Sequence, residues 1–215
     1  NFHVLSRVIA REVDSSNVEL RFDMRMTPDG KTLRPGIAYR LHARKWLVDK
    51  SPYSANDLHD PLPANPAPEE LDYCLVRLAT QAGEERSGGS MDPSANKRGW
   101  LELSSVRSSG TVDDNIFIMQ HPYDKEARKS HPLKLAIGNH LGFAGGGMRM
   151  RYDADTLGGS SGSPIFNADL EVIGLHHRGD PNADELQMTA MHNQGIPIRR
   201  IIELLEKRGI DRFWP

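Results

Sequence analysis

The chain has 215 residues, 38% of them hydrophobic and 26% charged, with a formal net charge of −2. That length suits one ordinary globular domain, or two small barrels sharing a core, and the near-neutral charge argues against a nucleic-acid or membrane surface. The single cysteine, Cys74, excludes an intrachain disulfide and favours a cytoplasmic setting, and no stretch reaches the ~18 apolar residues that a membrane span needs.

The chain opens on Asn1 rather than Met, as expected of a processed or excerpted polypeptide, so a signal peptide is neither visible nor excluded. Residues 17–26 alternate, with Val18, Leu20, Phe22, Met24 and Met26 on one face of a half-buried strand. Thr27-Pro28-Asp29-Gly30 has turn chemistry, and residues 36–48 form the expected return strand. Residues 51–68 hold five prolines and read as an exposed loop. In residues 71–78 a carboxylate, Asp72, heads an apolar strand; it must be satisfied by a cap, an ion pair or a histidine. Cys74 fits the same strand as a small apolar residue. Residues 81–99 are polar and rich in Gly and Ser, a surface insertion. Short strand candidates follow at 100–103, 115–120, 133–138 and 148–152, with turn signals between them, which argues for a β-barrel.

The run Gly158-Gly159-Ser160-Ser161-Gly162-Ser163-Pro164-Ile165-Phe166 is the densest concentration of small residues. Glycines let the backbone approach closely and adopt positive φ. A serine among them can present its hydroxyl, while neighbouring N–H groups bind a developing oxyanion. A plain Gly/Ser turn would look similar over five residues. Here the string extends through Asn167 to Val172-Ile173-Gly174-Leu175-His176-His177. The two adjacent histidines of strand 170–177 point to opposite faces and are no natural chelating pair, and no metal cluster is apparent. Residues 187–193 read as the last strand. Pro197 then opens a helix with Ile198, Ile201, Ile202 and Leu205 on one face, and Gly209 stops it.

Residues 152–179 resemble the nucleophile region of chymotrypsin-fold serine peptidases, nearest to the bacterial glutamyl-endopeptidase-like and trypsin-like branch, with HtrA-like proteases more distant. The resemblance implies an all-β fold of two six-stranded Greek-key antiparallel barrels, the first lacking its N-terminal strands here, with a C-terminal α-helix. Residues 1–99 would be the first barrel and 100–215 the second, together one peptidase domain. Strands that precede the histidine in relatives are absent; either an upstream segment supplies them or the barrel has an unpaired edge.

Asn1-Phe2-His3-Val4 resembles the segment carrying the family's general base, which makes His3 the candidate. His42 and His59 also precede Asp72, but neither sits in a motif. Leu71-Asp72-Tyr73-Cys74-Leu75-Val76 resembles the strand that supplies the triad aspartate, so Asp72 would accept a hydrogen bond from His3. The order His, Asp, Ser is that of the chymotrypsin type. Ser161 is then the nucleophile, and the N–H groups of Gly159 and Ser161 the oxyanion hole. Ser160 stands where relatives often carry Asp or Asn, which removes the usual acidic partner for a new N-terminal amine. Gln120-His121-Pro122 resembles a strand end of this branch, with His121 structural.

The specificity positions conflict. Thr156 and His176 match those that bind an acidic side chain, Asp155 matches the position that selects a basic one, and Arg178 lines the same rim. The implied activity is peptide hydrolysis through an acyl-enzyme, without metal or cofactor, on a protein or peptide substrate. No nucleic-acid or membrane partner is implied; an upstream or fused regulatory segment is. Two other classes compete: an inactive trypsin-like fold acting as a binding module, and an esterase using the same three residues.

Overall fold

The structure, a computed structural model, describes residues 1–103, 110–124, 129–185 and 190–210. In chain order its elements are α1 (Phe2–Ile9), β1 (Glu19–Phe22), β2 (Arg25–Met26), β3 (Leu33–Arg34), β4 (Ile37–Arg40), β5 (Leu47–Ser51), β6 (Tyr73–Val76), β7 (Asn115–Gln120), β8 (Tyr123–Asp124), β9 (Lys129–Ser130), β10 (Lys134–Ala144), β11 (Arg149–Tyr152), β12 (Pro164–Phe166), β13 (Val172–Gly179), α2 (Pro181–Glu185), β14 (Asn193–Pro197) and α3 (Ile198–Lys207). They fall into two compact units. One comprises residues 1–3, 51–73 and 102–215, the other residues 4–50 and 74–101.

The first unit holds a closed barrel in the order β7-β10-β11-β14-β13-β12, returning to β7. Alternation builds its interior: Ile116, Ile118 and Gln120 of β7 are buried while residues between them are not. Ile116, Ile118, Met150, Tyr152, Ile165 and Ile173 meet there with Ala136 and Ala154. Each isoleucine fully withdrawn from water stabilises by roughly 1.5–3 kcal/mol. The packing is close enough that a Cβ on Gly195 would lie 2.5 Å from Ile165 Cδ1. α3 packs on β13 and β14. It buries Ile198, Ile201, Leu204 and Leu205. Ile202, expected on that face, is only half-buried. Gly209 follows at φ +69°, and Ile210 N donates to Leu205 O, closing the helix end as expected.

The second unit departs from expectation. Two six-stranded barrels were expected, but among the described residues only one barrel closes. Among the described residues the remaining strands form separate two-stranded sheets: β1–β4, β2–β3, β5–β6 and, in the first unit, β8–β9. The reason lies in short strands that the chain interrupts. The expected strand over 17–26 breaks at Asp23, which adopts φ +62°. Its carboxylate is held by Arg98 Nη2 at 2.7 Å and by Gly88 N at 2.9 Å. The Arg98 guanidinium lies 5.3 Å from the Phe22 ring centre and 5.4 Å from that of Tyr39. A cation held between two aromatic faces and a carboxylate thus secures this unit where a longer ladder was expected.

Other departures are local. The segment that carries His3 opens a helix, Phe2–Ile9. Residues 100–103 form no strand. The loop over 51–68 is not wholly exposed, because Ser51, Ser54 and Asp57 are buried. Within the expected strand 187–193, residues 187–189 lie outside the described residues, and β14 starts at Asn193. The expectation over 115–120 coincides with β7. No helix among the described residues is long and apolar enough to cross a membrane.

Candidate active site

Ser161 sits in the loop between β11 and β12. Gly159 and Gly162 take φ +88° and +91°, a conformation that L side chains rarely adopt. A Cβ on Gly159 would lie 2.5 Å from Tyr123 Cβ, so that approach also requires glycine. The loop is tied down on both sides. Tyr123 N donates to Gly158 O at 2.8 Å, and Gly162 N to His176 O at 2.9 Å. The buried Ser160 hydroxyl donates to Gln120 Oε1, while Gln120 Nε2 donates to the Asp155 carbonyl. A neutral hydrogen-bond pair therefore holds the Ser160 side chain.

His3 lies in the first turn of α1. Its Nε2 is 2.9 Å from Ser161 Oγ, and its Nδ1 is 2.6 Å from Asp72 Oδ2. Its backbone N–H donates to Asp72 Oδ1 at 2.9 Å. Asp72 is fully buried and takes φ +46°, which turns the carboxylate back toward α1. The Asp72 carbonyl accepts from Phe2 N and from Asn1 Nδ2, so the first residues are pinned at three points. His3, Asp72 and Ser161 all belong to the first unit.

Behind Asp72 lies a second layer. β13 carries a register shift between His176 and Arg178, leaving His177 as the extra residue of a bulge. His177 Nδ1 is 2.7 Å from Asp72 Oδ2, and its Nε2 is 3.3 Å from Asp57 Oδ2. Asp57 accepts two 2.7 Å hydrogen bonds from the Arg149 guanidinium. Arg149 also donates to the Met148 and Glu70 carbonyls. Burial would raise the Asp57 carboxyl, but the His177 ring and the Arg149 guanidinium overcome it and hold the group down at about 2. Burial acts the same way on Asp72, where the His177 and His3 rings hold the carboxyl well below the usual carboxylate range.

The family model for a trypsin-like peptidase domain matches residues 1–175. The chain belongs to the trypsin-like peptidase family. It is 42% identical over 113 residues to a glutamyl endopeptidase of Staphylococcus aureus (strain MW2), covering 53% of this chain and 31% of that protein. It is 29% identical over 120 residues to a glutamyl endopeptidase of Staphylococcus epidermidis, covering 54% of this chain and 37% of that protein. The chain thus spans about a third of the length of these relatives. A solved structure titled "Crystal structure of Deg5" aligns with a TM-score of 0.47 and 14% identity over 94% of this chain and 73% of that one.

In this trypsin-like peptidase domain a cleft of about 370 Å³ opens beside Ser161, lined among others by His3, Tyr53, Leu58, His177 and Arg178. The residues expected to read the substrate side chain are dispersed in role. His176 is buried and its Nδ1 meets the Tyr152 hydroxyl, which also donates to Gln194 O. Burial first, then the positive charges that His177 and His3 can carry, push His176 down to about 3. It is therefore neutral near pH 7 and offers at most one N–H. The Thr156 hydroxyl donates to Asn193 Oδ1 at 2.9 Å, and Asn193 Nδ2 donates to the Ala154 carbonyl. Asp155 is exposed. His121 bonds the His131 carbonyl at 3.0 Å.

Metal-ligand atom types gather in two places among the described residues: His3, Asp72 and His177, and Asp60, Asp180 and His192. In the first the atoms are engaged with one another. In the second Arg151 already pairs with Asp60, so a cation would meet a positive charge. The inner layer of Asp57, Arg149 and His177 was missed in the sequence. Ser54 and Asp57 do form a capping box, a spacing that can be read directly.

Proposed function

We propose that the chain is a serine endopeptidase that cleaves peptide bonds through an acyl-enzyme on Ser161. The observation that carries this is the continuous chain of contacts from Ser161 Oγ through His3 to Asp72, at 2.9 and 2.6 Å. His3 Nε2 takes the serine proton as Oγ attacks the scissile carbonyl, then gives it to the leaving amine. Asp72 holds the Nδ1–H tautomer and stabilises the imidazolium that forms. The N–H groups of Gly159 and Ser161 receive the oxyanion. Neither has a hydrogen-bond acceptor among the described residues, so both are available. Water repeats the sequence on the acyl-enzyme.

For specificity we propose cleavage after an acidic residue. Arg178 supplies positive charge on the cleft wall, while Thr156, bonded to Asn193, and the buried His176 would have to exchange their present partners to meet an acidic side chain. The similarity to glutamyl endopeptidases points the same way. Asp155, exposed to water, keeps its charge solvated and need not repel an acidic side chain within the pocket. The lone cysteine is what supports a cytoplasmic setting as part of the proposal.

A mixed peptide library incubated with the wild-type chain and with Ser161→Ala tests both parts. Cleavage after Glu or Asp, lost in the variant by about 10⁶-fold, is expected. Cleavage after Lys or Arg would reverse the specificity assignment. Equal cleavage by both chains would remove Ser161 from the chemistry.

A further inference from the structure

Asp72 is shared. Its Oδ2 faces two imidazoles, His3 Nδ1 at 2.6 Å and His177 Nδ1 at 2.7 Å. The chemistry proposed above uses only the first. Both border the cleft, yet His177 is only 3% exposed and Asp57 1%, so their side chains are engaged mainly with one another and with Asp72. Both carboxylates are out of water, and a buried carboxylate is costly unless each oxygen is paired. Asp57 has Arg149 as a two-point partner. The ion pairs of Asp72 are with the His3 and His177 rings.

The placement of His177 is built into the sheet. A regular β13 would alternate His176, His177 and Arg178 across the strand. The bulge breaks the alternation, so that His176 and His177 are both buried yet meet different partners, Tyr152 and Asp72. The far side of the ring is braced as well. Nε2 lies 3.3 Å from Asp57 Oδ2, without the geometry of a hydrogen bond, and is an orphan polar atom in the interior. Asp57 is itself fixed by Arg149 and by Ser54 N at 3.1 Å. The ring therefore lies between the Asp72 and Asp57 carboxylates, with His3 edge-on at 6.1 Å between ring centres.

We propose that His177 is a positioning residue of the site: braced by the Asp57–Arg149 pair and aimed by the bulge, its ring fixes the Asp72 carboxylate in the orientation that His3 requires. Its carbonyl lies 3.5 Å from Ser161 Oγ, but its ring bonds Asp72 and acts through that carboxylate. This rests on the serine-peptidase reading of the same site. Removing the ring takes away one of the two donors on Oδ2 and leaves the carboxylate held by His3 alone, through Nδ1 and the backbone N–H. A displacement near 1 Å at such a point costs up to about 100-fold in turnover.

The test compares His177→Leu with His177→Asn, whose side-chain N–H reaches toward the position of Nδ1. Sites are counted first by fluorophosphonate labelling, so that misfolded protein does not enter the rates. Per labelled site, His177→Leu is expected to lower kcat by about 10–100-fold with KM unchanged, and His177→Asn to recover most of the loss. Equal rates in Leu, Asn and wild-type chains, or a loss carried in KM, would overturn the proposal. A second measurement does not depend on hydrolysis. In the Ser161→Ala chain, NMR should show two downfield imidazole N–H protons. His177→Leu should remove one and move the His3 proton further downfield, because Asp72 then has one fewer donor to satisfy. A His3 proton that stays in place contradicts the shared carboxylate, even if the peptidase reading itself has failed.

Discussion

At the scale of single residues, burial and compensation decide the chemistry. Asp72 loses its water completely and regains hydrogen bonds from two rings and one backbone N–H. Its carboxyl stays ionised because these contacts outweigh desolvation. Asp72→Asn keeps the size and removes the charge, and an amide nitrogen facing His3 favours the wrong tautomer. Turnover on a peptide ester is expected to fall by about 10⁴-fold, with the His3 backbone contact retained; a change of less than tenfold would show that His3 does not depend on Asp72. Asp72 was conspicuous in the sequence because a carboxylate heading an apolar strand needs a partner. His177 was visible as a residue but not in its role, because nothing in Val172-Ile173-Gly174-Leu175-His176-His177 announces a bulge. Arg149, between Met148 and Met150 after three glycines, and Asp57, inside a proline-rich loop, are buried by contacts that local pattern does not encode.

Elements differ in how much of their form is local. α3 was legible because four apolar residues at helical spacing between Pro197 and Gly209 leave little choice. β7 was legible from alternation. The strand expected over 17–26 was not, because its alternation continues through Asp23 while the backbone there turns into the left-handed region to meet Arg98, 75 residues away. The nucleophile loop lies between these cases: its glycines were conspicuous, but the contact that requires Gly159 comes from Tyr123. Gly159→Ala puts a methyl group 2.5 Å from Tyr123 Cβ at a φ that disfavours it, so the loop must shift. The far-UV circular dichroism should stay that of wild type while the rate of fluorophosphonate labelling falls by about 10²-fold, as for loss of one oxyanion donor. Unchanged labelling would mean that the N–H of Gly159 receives nothing in the transition state.

For the whole molecule, the expected pair of six-stranded barrels reduces, among the described residues, to one closed barrel, whose strand order local sequence pattern does not encode. The first unit carries most of the buried charge, which makes its stability depend on pH in a definite direction. His176 titrates near 3 in the folded chain against 6.5 as its ordinary value. Its contribution is complete above about pH 6.5 and is lost as pH falls toward 3, since the unfolded chain takes up the proton first. Asp57, at about 2 against 3.8, adds a loss that begins below about pH 4. Urea midpoints measured from pH 7.5 to 3.5 should therefore decline steadily from below pH 6.5, and His176→Phe should flatten the upper part of that decline. A flat profile between pH 6.5 and 5 would contradict the buried neutral His176.

The most direct measurement is the reaction of the chain with a fluorophosphonate, read by intact mass and by mapping the modified peptide. A serine activated by His3 and Asp72 should give one adduct per chain, on Ser161, absent in Ser161→Ala and strongly slowed in His3→Ala. A folded chain that takes up no label, or that is labelled elsewhere at the same rate in all three proteins, would contradict the assignment of Ser161 as a nucleophile and leave the trypsin-like fold to serve as a binding module.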